Sequence, residues 1–205
     1  MTSEWLTRAL EDSRARGFLG PGAISPHVSH AQGFVAAWSQ HSPTPPSSFL
    51  DLGSGGGLPG LVLLEEWQCR GILLDSMAKR VAFLREVLTW PGSPRGGEVV
   101  EGRAEDLARL VDLDSSVDLV TSRSFGPPAA TAECSARFLV VGGVLIVSEP
   151  PGGGARWDEA GLGRLGLRLG PRVSPSATYQ LLIKEKETPP EYPRRSGIPT
   201  KRPLF

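Results

Sequence analysis

An α/β fold is what this sequence predicts: a mostly parallel seven-stranded sheet with helices on both faces and a small helical cap at the N-terminus. Three observations carry that expectation. From Phe49 onward short apolar runs alternate with helical segments, the pattern of successive βαβ units. A glycine-rich turn, Gly53 to Gly60, follows the first of those runs, where a strand must hand over to a helix. Ahead of it lie two helical periodicities and then a stretch that no helix could continue, Ser42-Pro43-Thr44-Pro45-Pro46-Ser47.

The elements follow in order. Trp5, Leu6, Ala9 and Leu10 recur at helical spacing between Ser3 and Arg16, and Gly17 closes that helix. A second helix starts with Ser25 as cap and Pro26 in the first turn, and runs towards Trp38. Strands are expected at Ser48–Leu52, Gly71–Asp75, Glu98–Glu101, Val117–Thr121, Val144–Ser148, Arg168–Val173 and Tyr179–Lys184. Between the second and third, Met77–Trp90 places Val81, Leu84, Val87 and Leu88 on one face, the mark of a helix laid against a sheet. Pro150–Gly154 reads as a mobile surface loop. The organisation is thus a cap and linker over residues 1–46, a ligand-binding domain over 47–188, and a basic extended tail over 189–205.

Composition narrows the function classes. The chain has 205 residues, 40% of them hydrophobic and 21% charged, which suits one globular domain. Its formal net charge is zero, so the surface as a whole is not a phosphate clamp. The cations gather instead at the end, where Arg194, Arg195, Lys201 and Arg202 face a single acid, Glu191. Among Pro193, Gly197, Pro199 and Pro203 neither helix nor interior strand is expected, which leaves an extended arm. No apolar run spans a bilayer and no leader-like segment opens the chain, so a cytoplasmic protein without a membrane partner is expected. Cys69 and Cys134 make no disulfide framework and read as small core residues. His27 and His30 stand at i and i+3 with no third ligand nearby, and no metal site is expected.

The turn Asp51-Leu52-Gly53-Ser54-Gly55-Gly56-Gly57-Leu58-Pro59-Gly60 is the chemical centre of the sequence. A nucleoside triphosphate would need Gly-Lys-Ser/Thr at its end, but Leu61 and Val62 follow Gly60. A dinucleotide fits the letter pattern, since Gly55, Gly57 and Gly60 match G-x-G-x-x-G and Asp75 lies 20 residues after Gly55. Asp51 separates the two remaining ligands: an acid at the strand end repels a pyrophosphate and suits the methionyl ammonium of S-adenosylmethionine. On that reading Gly53 and Gly55 let the ligand pass close to the backbone, and Asp75 accepts from ribose hydroxyls.

The same turn, followed by Leu74-Asp75-Ser76-Met77-Ala78-Lys79-Arg80-Val81-Ala82-Phe83-Leu84-Arg85, resembles the RsmG (GidB) family. Arg103-Ala104-Glu105, Ser122-Arg123-Ser124-Phe125 and the ending Tyr192-Pro193-Arg194-Arg195-Ser196-Gly197-Ile198-Pro199 with Lys201-Arg202-Pro203-Leu204 are similar to further family segments. The resemblance implies a class I, Rossmann-like methyltransferase. It would move a methyl group from S-adenosylmethionine to N7 of a guanine in small-subunit (16S) ribosomal RNA, as a monomer acting on that RNA or on the 30S particle.

It further implies that Gly53, Leu58, Ala104, Glu105 and Arg123 line the cofactor, and Ser54, Gly55, Gly57, Asp75 and Ser76 complete the expected cofactor site. Arg123 would also orient the acceptor guanine as the catalytic residue. Phe125 would stack on an extruded base, and Arg194, Arg195, Lys201 and Arg202 would hold RNA. One departure stands out, because members usually carry Lys-Gly after the fifth strand and this chain reads Ser148-Glu149-Pro150.

Rival readings are a class I methyltransferase acting on a small molecule, a non-catalytic cofactor- or RNA-binding relative, and, last, a dinucleotide oxidoreductase. Cys134 lacks the Pro-Cys context of a pyrimidine-C5 nucleophile, and Gly126-Pro127-Pro128-Ala129 is not the Asp/Asn-Pro-Pro-aromatic motif of exocyclic amino methylation.

Overall fold

The computed structural model describes residues 2–152 and 155–205. In chain order the elements are α1 (Glu4–Ala15), α2 (Ser25–Ser39), β1 (Ser48–Leu52), α3 (Gly60–Trp67), β2 (Arg70–Asp75), α4 (Ala78–Val87), β3 (Gly97–Glu101) and α5 (Ala104–Leu107). They continue as β4 (Val117–Ser122), α6 (Pro128–Ala136), β5 (Leu139–Glu149), α7 (Glu159–Arg164), β6 (Leu167–Val173), β7 (Thr178–Lys184) and α8 (Ile198–Lys201). The strands form one sheet in the order β3-β2-β1-β4-β5-β7-β6. The first five strands run parallel; β7 is antiparallel to both β5 and β6. The strand order reverses beside β1, between β1 and β4, and sheets of this kind bind ligands beyond the carboxyl ends of the strands at that point.

Period-2 alternation in the central strands divides their side chains between two cores. Phe49, Leu73, Leu119, Val144, Ile146 and Leu181 point to one face, where α1 to α4 bring Trp5, Phe34, Leu61 and Phe83. Leu50, Leu52, Ile72, Val120, Leu145 and Leu182 point to the other, under α5, α6 and α7 with Phe138 and Leu162. The two N-terminal helices are therefore built into a core rather than resting on it. Polar anchors fix them as well: Trp5 Nε1 donates to the Val87 carbonyl at 2.8 Å, and Tyr179 Oη donates to the His30 carbonyl at 2.5 Å.

Several sequence expectations shift. Ser25 is not a cap: Ile24 occupies that position, no side chain caps α2, and Pro26 lies in its first turn. Ser3 does cap α1, accepting from the Leu6 amide at 3.1 Å. The helix expected over Met77–Trp90 ends at Val87, because Leu88 to Trp90 close it with tighter turns through Glu86 and Val87 carbonyls. Strand β5 starts at Leu139 rather than Val144, since Gly142 and Gly143 accommodate a register shift against β4 instead of forming a turn. Cys134 is buried, and burial raises its thiol pKa well above the ordinary value; Cys69 is only half-buried. Gly153 and Gly154 of the expected mobile loop lie outside the described residues.

The tail departs most from expectation. Arg194 is locked to Glu133 of α6, with its amide and Nε on Oε1 at 2.8 and 2.9 Å and Nη2 on Oε2 at 2.6 Å. Gly197 N donates to Glu105 Oε1 at 2.9 Å, and Arg109 donates to the Pro190, Glu191 and Pro193 carbonyls. Residues 198–201 then form the short helix α8 against α6. The prolines bar a long helix, but Pro199 near the start of a single turn costs no intrahelical bond. The expected free arm is a strap bound to the domain.

Candidate functional site

Strand β1 ends at Leu52, and the chain must turn over the edge of the sheet before α3 begins. The Gly53 and Ser54 amides both donate to the Leu74 carbonyl at 2.9 Å, which ties the turn to the end of β2. Asp75, at that same end, accepts from the Gly55 amide through Oδ2 and from the Met77 amide through Oδ1, each at 2.8 Å. One carboxylate thus holds the glycine turn and the entry to α4 together. Gly53 has φ 75°, and a Cβ there would stand 2.9 Å from the Phe125 ring, so only glycine satisfies both the backbone and the contact.

These constraints leave a cleft of about 200 Å³ over the carboxyl ends of β1, β2 and β3. Gly53, Asp75, Ser76, Ala104, Glu105 and Phe125, all expected at a site, line it together. Met77, Arg80, Gly102 and Arg103 line it too and were missed by sequence reasoning. Met77, Arg80 and Arg103 stand inside the segments that resemble the family, and Gly102 directly precedes one of them. Met77 is half exposed, an apolar side chain at the mouth of a polar cleft, and suits the face of a purine.

Glu105 is buried and accepts from Gly197 N and from Arg103 Nη2 at 3.2 Å. Burial alone would raise its pKa, but the Gly197 amide and Arg103 prevail and hold it below the ordinary carboxylate value. It therefore links the cleft to the C-terminal strap.

Five of the expected cofactor residues, Ser54, Gly55, Gly57, Leu58 and Arg123, do not line this cleft. Ser54 is buried beneath the turn, its hydroxyl donating to the Asp51 carbonyl at 2.9 Å. Leu58 is packed into the core with Leu61 and Phe83 and gives the turn an apolar anchor. Gly57 faces the Leu61 side chain. Arg123 turns towards the N-terminal helices, with Nη2 donating to His27 Nδ1 at 3.2 Å, while its Nη1 is buried without a partner among the described residues. Gly55 donates its amide to Asp75 at the cleft wall.

Asp51, expected to suit an ammonium group, is buried beneath the turn and does not line this cleft. It is 1% exposed, accepts from the Gly60 amide at 2.9 Å and from the Thr121 hydroxyl at 3.1 Å, and so pins both ends of the turn. Burial pushes its pKa up to about 6 against the opposing pull of those hydrogen bonds.

A second cavity, of about 360 Å³, opens beside the cleft and shares Ser124 and Phe125 with it. Ser122, Ser148, Glu149, Arg156 and Trp157 border only this one. Among the described residues no group of three or more His, Cys, Asp or Glu side chains is placed to hold a metal ion. No helix there is long and apolar enough to cross a membrane.

The family model described as GidB, rRNA small subunit methyltransferase G, matches residues 28–149, from within α2 to the end of β5. The chain belongs to the GidB family. Among curated GidB relatives, the ribosomal RNA small subunit methyltransferase G of Moorella thermoacetica is 37% identical over 170 residues, spanning 78% of this chain and 70% of its own. That of Symbiobacterium thermophilum is 35% identical over 195 residues, spanning 86% and 78%. Among solved structures, a variant of MtNAS in complex with S-adenosylmethionine superposes with a TM-score of 0.61 at 15% identity, over 88% of this chain and 73% of that one. That likeness shows the shared fold: a seven-stranded, mostly parallel sheet with helices on both faces.

Proposed function

We propose that this chain transfers the methyl group of S-adenosylmethionine to N7 of a guanine in small-subunit ribosomal RNA, free or within the 30S particle. The observation that carries the reading is the place of the family match, which covers the glycine turn, Asp75, Ala104-Glu105 and the Phe125 wall in one span. The cleft suits the cofactor. Asp75 uses one acceptor position on each oxygen for backbone amides and keeps others for ribose hydroxyls. Met77 and Ala104 offer apolar surface to a purine, and Gly53 leaves room beside Phe125.

When bound, S-adenosylmethionine supplies an electrophilic methyl carbon; the bond from N7 forms as the carbon–sulfur bond breaks and its electron pair stays on sulfur. Guanine N7 carries a lone pair and no proton, so the protein has no proton to remove. Its task is alignment and exclusion of water. Phe125 stands between the two cavities, where a base extruded from RNA can stack against it. Arg123, held by His27, positions the segment that carries Ser124 and Phe125. Arg195, Lys201 and Arg202 are exposed and available to phosphates, whereas Arg194 is committed to Glu133. A monomer working in the cytoplasm, where its RNA is found, completes the reading.

Mass spectrometry of small-subunit rRNA from cells with and without the gene tests it. One 7-methylguanosine should vanish with the gene and return with the wild-type copy. Its persistence would refute the assignment.

A further inference from the structure

The second cavity carries unmet hydrogen-bonding capacity. Ser122 is 1% exposed and borders it, yet its hydroxyl has no partner among the described residues. His30 also borders it; Nε2 pairs with Ser148 Oγ at 2.9 Å, while Nδ1 is buried and unpartnered. Buried polar atoms in native folds are nearly always satisfied, so two unsatisfied ones in residues that border this cavity mark its wall as polar.

Glu149 identifies the occupant. An acid is unexpected in a pocket meant for part of a polyanion, and its side chain is only 2% exposed. Oε2 accepts from Arg156 Nη1 at 3.2 Å and Oε1 from Trp157 Nε1 at 3.0 Å. Arg156 offsets the charge, so the carboxylate does not repel phosphates, and the two donors fix its orientation. Each oxygen can still accept one more hydrogen bond. Of the four bases, guanine alone offers two adjacent donors to such a carboxylate, N1–H and the N2 amino group. Adenine presents an acceptor at N1. The N1/N2 edge lies across the purine from N7, so a guanine held by Glu149 turns N7 away from the end of β5. On that side stand Ser124 and Phe125, the wall shared with the cofactor cleft.

We propose that this second cavity is the acceptor-base pocket and that Glu149 is its specificity-determining residue, accepting from N1–H and N2–H of the extruded guanine so that N7 faces the cofactor cleft. The inference rests on the reading that a guanine is the acceptor. It makes one contact select both the base and the atom.

The test uses small subunits reconstituted on rRNA that carries either guanosine or inosine at the methylated position. Inosine keeps N7, O6 and N1–H but lacks the N2 amino group. Wild-type kcat/KM should be about 10–100-fold higher for guanosine, the worth of a hydrogen bond to a charged acceptor. Glu149→Gln, which retains an acceptor for Trp157, should lower guanosine methylation by a similar factor and shrink the preference to a few-fold, with S-adenosylmethionine affinity unchanged. Glu149→Asp, which withdraws the carboxylate by one methylene, gives an independent reading with the same expected direction. A wild-type enzyme that methylates both substrates equally, or variants that keep the wild-type preference, would overturn the assignment of Glu149. Absence of any N7 product from wild-type enzyme on guanosine would instead refute the underlying function.

Discussion

The two cavities on either side of Phe125 are finished to different degrees. In the cleft over β1 to β3 the protein supplies its own partners: Asp75 holds two amides and Glu105 an amide and Arg103, while Asp51, buried beneath the turn, holds an amide and a hydroxyl. Of the described cleft residues only Arg80 keeps a buried, unpartnered nitrogen, Nε. In the cavity over β4 and β5, Ser122 and His30 wait for partners, and Glu149 has acceptor capacity to spare. A cofactor common to every turnover meets a pre-built frame, while the acceptor side is completed by the base that enters it. The C-terminal strap belongs to the first region through Glu105 and Glu133.

The comparison can be broken where it expects the largest effect. Arg194→Ala leaves Glu133, which is 0% exposed, without its counter-charge, and breaking a buried pair from one side costs about 3 kcal/mol or more. For a chain of this size the melting temperature should fall by roughly 6–12 °C. A change within experimental scatter would mean that the strap is no part of the folded unit.

Gly53→Val forces a branched residue into φ 75° and against Phe125. Such a backbone costs about 1–3 kcal/mol before the clash is counted, so S-adenosylmethionine affinity measured by calorimetry should fall more than about tenfold. Full affinity in a folded variant would remove the turn from the cofactor site.

Asp51 sharpens the same region through pH. Its folded pKa lies near 6, above an ordinary value of 3.8, so the native state holds the proton more tightly than the unfolded chain. Its contribution to stability is therefore greatest below about pH 4 and declines as pH rises through 6, by up to roughly 3 kcal/mol. Relative to Asp51→Asn, the wild type should gain stability as pH is lowered from 7 to 4 in denaturant titrations. A constant difference across that range would place the titration elsewhere.

Much of this frame was legible in the sequence. All seven expected strands are present, although β5 starts at Leu139, because the buried central strands leave continuous apolar runs in the sequence. The cleft was legible where the motif residues themselves face it, as with Gly53, Asp75 and Ala104. It was misread where a motif residue serves the turn's own packing. Leu58 is packed in the core and Ser54 is bonded beneath the turn, and spacing does not tell upper from lower surface of a turn. Glu149 looked like a stray acid because its partners, Arg156 and Trp157, are seven and eight residues further along the chain. The strap was hidden for a similar reason: Glu133 lies 61 residues before Arg194, inside a helix otherwise made of small residues.

The smallest effect concerns the exposed cations. Replacing Arg195, Lys201 and Arg202 by alanine should leave cofactor affinity unchanged and weaken RNA binding. The salt slope should flatten by up to about 0.7 for each single-strand phosphate that the variant no longer neutralises. An unaltered slope would confine RNA recognition to the acceptor pocket and its rim.

The central claim is that the two adjoining cavities bring a methyl donor and a guanine N7 together. The most direct measurement incubates the purified protein with methyl-labelled S-adenosylmethionine and small subunits that lack the modification, then digests the RNA to nucleosides. The account predicts label in 7-methylguanosine at one position, abolished by Gly53→Val. Label in any other nucleoside, or none in RNA while a small molecule accepts it, would contradict the account.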